Sequence, residues 1–358
     1  MVTMLTTIRL QQFRSYRDAS FEISPGVNIV VGPNASGKTN LLEAVLLLAR
    51  GSSYRAKDSQ LVQSGADWAR LDADLPTQHR TIKLSGPNMA KSFEFDGQQL
   101  ARLHHSRMLP TVLFEPNNLF LFGGAPEARR AFLDDLIEQT DPSYASIRKQ
   151  YRRVLAHRNA LLKHSPHDIA QQLFVWNIRL SELAGQMVQR RTALVAFLNE
   201  RAPALYGSLA SDQKQLGLTY LSRFPLAGYE TALLHKLDSS VALETARGFT
   251  LYGAHRDDLQ ATLNEKPVEA VASRGEIRSI VLVLKLLELA ILAERTGKQP
   301  LLLLDDVFSE LDSHRRQALT KHVAGYQTFI TTTDADVVIQ HFTNCHIIPL
   351  NAPAANHS

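Results

Sequence analysis

Cysteine is nearly absent: Cys345 is the single one in 358 residues, so no intrachain disulfide can form and a reducing compartment is the expected setting. Long apolar runs are missing too. The nearest candidate, Ile280 to Ala293, is broken by Lys285 and Glu288 and falls short of the roughly 18 apolar residues a membrane span takes. The first residues, Met1 to Tyr16, interleave Arg9, Gln11, Gln12 and Arg14 with short apolar pairs and lack the continuous apolar core of a signal peptide. No internal repeat and no low-complexity tract occurs, and only Asn351 to Ser358 has the composition of a frayed tail. The Asn-Lys-x-Asp sequence that reads guanine is also missing. These absences predict a cytoplasmic, membrane-free globular protein, and the apolar share of 44% with 21% charged residues agrees. The length allows one large or two ordinary domains.

Net charge is only +4, but its distribution is uneven. Between Asp141 and Arg201 ten Lys or Arg face four Asp or Glu. Such a local excess is either a directed basic face toward an anionic partner or a solvated helix surface.

What the chain does contain begins at Val27-Asn28-Ile29-Val30-Val31, an apolar strand leading into Gly32-Pro33-Asn34-Ala35-Ser36-Gly37-Lys38-Thr39 and then the helical run Leu41 to Leu48. This fits G-x-x-x-x-G-K-[ST] in the strand-to-helix context of a phosphate-binding loop. Gly32 and Gly37 permit the tight turn that aims successive N–H groups, and the next helix's N-terminus, at phosphate oxygens. Lys38 supplies a charge for the β and γ phosphates of a nucleotide, and Thr39 a hydroxyl for Mg²⁺. More than 260 residues later, Leu301 to Leu304 runs into Asp305-Asp306. A carboxylate at the C-terminal end of an apolar strand suits Mg²⁺ binding by Asp305, and Asp306 then stands where it can orient or deprotonate the attacking water.

Strand patterns are expected at Leu5–Leu10, Arg17–Ile23, Val27–Val31, Thr81–Leu84 and Ser92–Asp96, the last two as a hairpin around Gly86-Pro87-Asn88. From Pro126 the pattern becomes helical, first to Glu138. Tyr144, Ile147, Tyr151, Val154 and Leu161 then keep a three-four spacing interrupted by Arg158. After a break at His164-Ser165-Pro166 a heptad-like set from Ile169 to Leu198, interrupted by Arg190, predicts a second helix over His167–Glu200, about 50 Å long. Two antiparallel helices forming a short coiled coil follow, either as an arm or packed flat. Strand signals return at Leu218–Leu221, Phe249–Tyr252, Leu259–Leu263 and Val268–Val271. The expected division is therefore a head made of 1–125 and 216–358 with a helical insertion at 126–215.

Ser273-Arg274-Gly275-Glu276 precedes the amphipathic helix Ile277–Arg295. As a helix start it is either a simple N-cap or a second anion corner. One chain seldom needs two γ-phosphate corners, so a dimer is the expected arrangement. In its place before Asp305 the tetrapeptide resembles the signature of ABC-type ATPases, which implies that Ser273 and Gly275 of one subunit close over the nucleotide held by the other. Ser309-Glu310-Leu311-Asp312 resembles the D-loop at that seam.

Taken with Phe13-Arg14-Ser15-Tyr16, Tyr54-Arg55, Gly253-Ala254-His255-Arg256-Asp257-Asp258-Leu259 and Asp305-Asp306-Val307-Phe308, these blocks span nearly the whole chain. They resemble the RecF family, whose heads are similar to those of SMC and ABC ATPases. The resemblance implies an α/β fold with an inserted helical arm, and a slow DNA-dependent ATPase acting as an ATP-induced homodimer on gapped DNA. It further implies work with RecO and RecR to load RecA, in support of the SOS response. Departures from the wider ABC pattern are also present. Thr331-Thr332-Thr333-Asp334 stands where transporters carry a switch histidine, with Thr333 the expected substitute, and Phe114-Glu115-Pro116-Asn117-Asn118 offers no Q-loop glutamine. Arg55 is open between an arginine finger, a DNA sensor and an ion pair, and His255 with Arg256 between the nucleotide or DNA path and an ion pair. A transporter subunit is disfavoured by the basic helices and missing switch histidine, and a GTPase or kinase by the signature-like corner.

Overall fold

The computed structural model describes residues 4–86, 89–164, 168–210 and 214–351. The turn residues Pro87 and Asn88, the helix break at Ser165-Pro166, the expected helix start His167 and the tail beyond Asn351 lie outside the described residues. The chain divides into two compact units, Met1–Leu119 with Lys285–Ser358, and Phe120–Leu284. The expected helical insertion 126–215 lies within the second unit, which also takes in residues 216–284.

The first unit opens with β1 (Thr7–Phe13), β2 (Tyr16–Glu22), β3 (Val27–Val31), α1 (Lys38–Arg50), β4 (Trp68–Leu75), β5 (Gln78–Ser85), β6 (Ala90–Phe95), β7 (Gln98–Leu100) and β8 (Thr111–Phe114). An antiparallel sheet of order β2-β1-β4-β5-β6-β7 forms from six of these. β1 and β2 close a tight hairpin in which Phe13 opposes Tyr16 across Arg14-Ser15, and Arg14 takes a positive φ of 54°. β2 and β3 are neighbours along the chain but join different sheets.

The second unit holds α2 (Pro126–Thr140), α3 (Tyr144–His164), α4 (Ile169–Leu209), β9 (Leu216–Leu221), α5 (Tyr229–Ser239), α6 (Val241–Arg247), β10 (Asp258–Leu263), β11 (Lys266–Pro267) and α7 (Val268–Val271), and α8 (Arg274–Thr296) begins in it. α3 and α4 are antiparallel: His157 stacks on Trp176, Arg179 bonds Gln150, and Arg190 bonds Asp141. At 41 residues α4 outruns the expected 167–200 and would be about 60 Å long. It packs against β9 and α5 as well as α3, so it is more than one strand of a free coiled coil. Two expected strands are corrected. Phe249–Tyr252 is irregular, and Val268–Val271 is the helical turn α7, entered from the N-capping Pro267 after the Asn264-Glu265 turn, both of whose residues have positive φ.

The arginines that interrupt the apolar pattern explain themselves here. Arg158 is fully buried and bonds Glu244 at 2.5 Å, Asn177 at 2.7 Å and Thr250 at 2.8 Å. On α4 the buried position is Arg191, not Arg190, and it grips both oxygens of Asp134 at 2.8 and 3.0 Å. A buried charge requires such partners. Part of the basic excess counted between 141 and 201 is therefore engaged inside the unit.

β12 (Leu301–Asp305), α9 (Ser313–Val323), β13 (Thr328–Thr332), α10 (Asp336–Ile339) and β14 (Cys345–Pro349) complete the first unit. Together with β3 and β8 they give a parallel sheet of order β14-β3-β13-β12-β8. Its central strands β3, β12 and β13 are buried almost throughout, as near-continuous apolar or Thr-rich runs require. α1 is apolar from Leu41 to Ala49 except at Glu43 and is buried over that run, packing on β4 and β5 and on β8, β12 and β13. The core therefore runs from one sheet through α1 to the other.

Candidate functional site

Parallel register sets the site. Thr332 pairs with Val31, and Asp305 with Thr331, so the loop after β3, the end of β12 and the end of β13 meet at one sheet edge. In open α/β sheets that C-terminal edge is where ligands bind.

The loop Gly32–Thr39 leads from β3 into α1. A Cβ on Gly32 would lie 2.6 Å from Leu350 O and from Ser36 Oγ. Gly37 has φ +102°, and a Cβ there would lie 2.9 Å from Ser15 Oγ and 3.0 Å from Tyr16 OH. Both glycines are therefore fixed by sterics, and Gly37 by backbone conformation as well. Tyr16 OH donates to Gly37 O at 3.0 Å and Asn40 Nδ2 to Ser15 Oγ at 2.9 Å, so the β1–β2 hairpin tip holds the loop. Lys38 Nζ donates to Gly32 O at 2.7 Å and Pro33 O at 2.9 Å. Ala35 has φ +65°, and Ser36 Oγ is buried without a hydrogen-bond partner among the described residues. An orphan buried hydroxyl beside an ammonium and a helix N-terminus fits a phosphate group.

Asp305 is buried, and its carboxylate accepts from Thr39 Oγ1 at 3.0 Å, Thr331 Oγ1 at 2.9 Å and, more weakly, Tyr54 OH at 3.4 Å. The Thr39 hydroxyl and Asp305 carboxylate form the oxygen pair that a hard divalent cation such as Mg²⁺ takes. Asp306 sits in the left-handed region at φ +54°, and its N–H donates to Thr331 Oγ1 at 2.8 Å. Burial pushes the Asp306 carboxyl up, Lys38 draws it down and Asp305 adds to the rise. Glu115 is raised by burial and then by Asp305, while Lys285 and Arg55 oppose the shift. Thr331, not the exposed Thr333, is thus the residue of the Thr331-Thr332-Thr333 run that touches both acidic positions. Its only signal in the sequence was membership of that run.

A second missed residue is Glu43 on α1, fully buried and bonded by Arg14 at 2.8 and 2.9 Å, Arg55 at 3.0 Å and Ser53 at 2.5 Å. Burial works to raise the Glu43 carboxyl, but these partners outweigh it and hold it below the usual range. Arg55 also bonds Asn40 at 2.7 Å. Arg55 therefore has an ion-pairing role that ties the Tyr54 segment to the phosphate-loop helix.

Ser273 and Gly275 stand in the second unit, where Ser273 Oγ accepts from Glu276 N at 3.3 Å and Glu276 Oε2 from Ser273 N at 2.7 Å. This reciprocal capping box opens α8. In the first unit Asp312 caps α9 by accepting from Arg315 N at 2.9 Å, and Arg316 Nε bonds Phe308 O at 2.9 Å. His255 belongs to the second unit: its Nδ1 faces Tyr151 OH at 2.7 Å, and burial pushes its imidazole down to about 4.

Residues 4–351 match the family described as RecF/RecN/SMC N terminal domain. A curated relative from Heliobacterium modesticaldum, the DNA replication and repair protein RecF, is 39% identical over 342 residues, covering 92% of each chain. A solved structure of the recombination mediator protein RecF-ATP in the RecFOR pathway superposes with a TM-score of 0.82 at 30% identity, covering 92% of each chain. An Smc head domain with an extended coiled coil, bound to a domain of ScpA from Pyrococcus furiosus, shares the fold at 14% identity with a TM-score of 0.54, covering 98% of this chain and 94% of that one. The α/β head architecture expected from the motifs is therefore present, and the chain belongs to the RecF family.

Proposed function

We propose that the chain is an ATP-dependent DNA-binding protein of recombinational repair and replication restart, with slow DNA-dependent ATPase activity. The observation that carries the ATPase part of this reading is the 3.0 Å bond between Thr39 Oγ1 and Asp305 Oδ1, which joins the phosphate loop to the acidic strand end, while the similarity to RecF proteins supports the repair part. Backbone N–H groups from Gly32 through Thr39, those of Asn34, Ala35, Ser36 and Gly37 among them, and the Lys38 ammonium receive the phosphates of ATP; Pro33 has no N–H and shapes the turn. Thr39 and Asp305 hold Mg²⁺, which when bound neutralises phosphate charge. Asp306 takes a proton from the attacking water at its carboxylate. Ser273 and Gly275 of a second copy complete the site, so nucleotide favours the dimer by binding it better than the monomer. RecF-ATP in the RecFOR pathway supports ATP as the nucleotide.

Residues 126–215 serve in this reading as a helical arm inserted in the sequence between segments 1–125 and 216–358, with residues 216–284 packed in the same compact unit as the arm. Exposed charges such as Lys149 and Arg153 meet DNA phosphates with little base reading. The dimer engages gapped DNA and, with RecO and RecR, assists loading of RecA and so SOS induction. Among the described residues no helix is long and apolar enough to cross a membrane, in keeping with a cytoplasmic role. The test is binding of labelled gapped duplex across a salt series, with and without ATP, for the natural chain and Lys38→Met. ATP should tighten binding in the natural chain alone, with affinity falling steeply with salt. Indifference to both ATP and Lys38 would remove DNA engagement as the purpose of the loop.

A further inference from the structure

The Gly253-to-Asp258 block has no part in the nucleotide site, yet nearly every residue of it is held in place. Gly253 has φ +130°, and a Cβ there would lie 2.7 Å from Tyr151 OH. Ala254 O accepts from Arg191 at 2.7 Å, Asp257 O accepts from Arg130 at 2.6 Å, and Asp258 takes a two-point bond from Arg129 at 2.8 Å each. This loop and helices α2, α3 and α4 together wall a cavity of about 510 Å³ wholly within the second unit. Its lining carries Arg130, Arg148, Arg152, Arg191 and Arg256 against only Glu127 and Asp134.

The two acids do not neutralise that set. Asp134 is already engaged by both arms of Arg191 and by Tyr144 OH at 2.6 Å. Glu127 reaches Arg130 at 3.0 Å. Arg148 bonds Glu138 at 2.7 Å, but its Nε is buried with no hydrogen bond, 3.3 Å from Asp134 Oδ2. Arg152, one turn further along α3, is exposed and has no ion pair among the described residues. Arg256 is exposed, gives one bond to Thr250 O at 3.2 Å and lies over the Phe249 ring. Arg152 and Arg256, with donors left over beside the engaged Arg130, Arg148 and Arg191, match an oxyanion of more than one charge. His255 adds no charge at neutral pH, since burial keeps it unprotonated. Leu155, Met187 and Tyr151 supply an apolar wall, and the volume suits a ligand larger than a bare phosphate.

We infer that this arginine-lined cavity binds a nucleotide through its phosphate, either as a free mononucleotide or as the terminal nucleotide of a strand. A continuous duplex backbone tracks an open surface and has no end to place in a concave site of this size. The inference does not rest on the phosphate-loop reading, because the cavity lies in the other unit.

The test uses the full chain carrying Lys38→Met, which silences the phosphate loop. Fluorescence anisotropy compares short single strands with a 5′-phosphate, a 3′-phosphate or no terminal phosphate, and AMP is titrated by calorimetry. A terminal phosphate should tighten strand binding, or AMP should bind directly. Arg152→Ala with Arg256→Ala should weaken that phosphate-dependent binding about tenfold or more, as expected for lost charge-assisted bonds. Arg152 has no ion pair among the described residues, and Arg256 is exposed with one 3.2 Å bond to Thr250 O, so the thermal transition should move only slightly. Lys163→Ala, an exposed charge on the same helix outside the cavity, should leave it unchanged. AMP binding without strand discrimination identifies a free nucleotide, and the reverse identifies a strand end. If no probe shows phosphate dependence, or Lys163→Ala costs as much as the arginine pair, the inference is overturned.

Discussion

Thr331→Val is the most pointed perturbation of the acidic edge. The Thr331 hydroxyl is buried, donates to Asp305 Oδ1 at 2.9 Å and accepts the Asp306 N–H at 2.8 Å. Valine keeps the shape but removes both bonds. The Asp306 N–H is then left without its acceptor, at a cost of about 1–3 kcal/mol. The left-handed backbone of Asp306, φ +54°, itself costs roughly 1–2 kcal/mol and is offset in part by that bond. Asp306 should therefore relax toward an ordinary conformation and carry its carboxylate away from the phosphate loop. Asp305 retains the Thr39 bond and should stay in place. The expected result is a loss of about 2 kcal/mol in urea unfolding. ATP turnover should fall about tenfold or more while ATP affinity changes little. Thr331→Ser keeps the hydroxyl and should restore turnover. Normal stability and turnover in Thr331→Val, or equal damage from Thr331→Ser, would refute the hydroxyl's role in holding Asp306.

Two further outcomes are expected. Glu43→Ala removes the shared partner of Arg14 and Arg55, and because both arginines keep some contact with solvent the first unit should lose about 1–3 kcal/mol, with Glu43→Gln milder. The folded carboxyl lies below the unfolded value, so its contribution is present above the unfolded pKa and lost as pH falls through the folded one; urea midpoints below about pH 4.5 should show this, and an acid-insensitive difference between the natural chain and Glu43→Gln would count against it. In the second unit burial pushes His255 down to about 4 and Asp257 up to about 6. The histidine effect loses stability as pH falls from 6.5 to 4, whereas the aspartate effect loses it as pH rises from 3.8 to 6, each by about 3 kcal/mol, so they nearly cancel between 4 and 6. His255→Gln should uncover the second alone, seen as a falling urea midpoint from pH 4 to 6 in Trp176 fluorescence of a Trp68→Phe chain; a flat profile would show that Asp257 does not titrate there.

Local pattern was enough for whatever depends on neighbours along the chain. The phosphate loop, its strand and helix, the apolar strand before Asp305, and helices α2 and α3 were legible because glycine placement, apolar period and a helix-starting proline act within a few residues. Short elements were not. β8, Thr-Val-Leu-Phe, has strand-forming residues but is only four residues long between Pro110 and Pro116, too short for pattern alone to separate it from a loop before its pairing with β12 is seen. Val268–Val271 has strand-like residues yet forms a helical turn, because the two-residue turn at Asn264-Glu265 and Pro267 end the pairing first. Periodicity put Leu161 and Arg190 on the buried seam, whereas Leu162 and Arg191 occupy it, since α4 turns its stripe toward β9 and α5 as well as α3.

The sequence by itself determined the chemistry available: an ammonium, a hydroxyl, two adjacent carboxylates and a surplus of arginine. Tertiary structure alone decided which of these meet. Thr39 and Asp305 are 266 residues apart and touch only because a parallel sheet aligns β3, β13 and β12 at one edge. The same packing selects Thr331 over Thr333 and engages Glu43 with Arg14 and Arg55. It also buries some arginines with acids while leaving Arg152 and Arg256 open. A charge's meaning depends on its partners, and partners distant in sequence are set by register and burial, which no local pattern encodes.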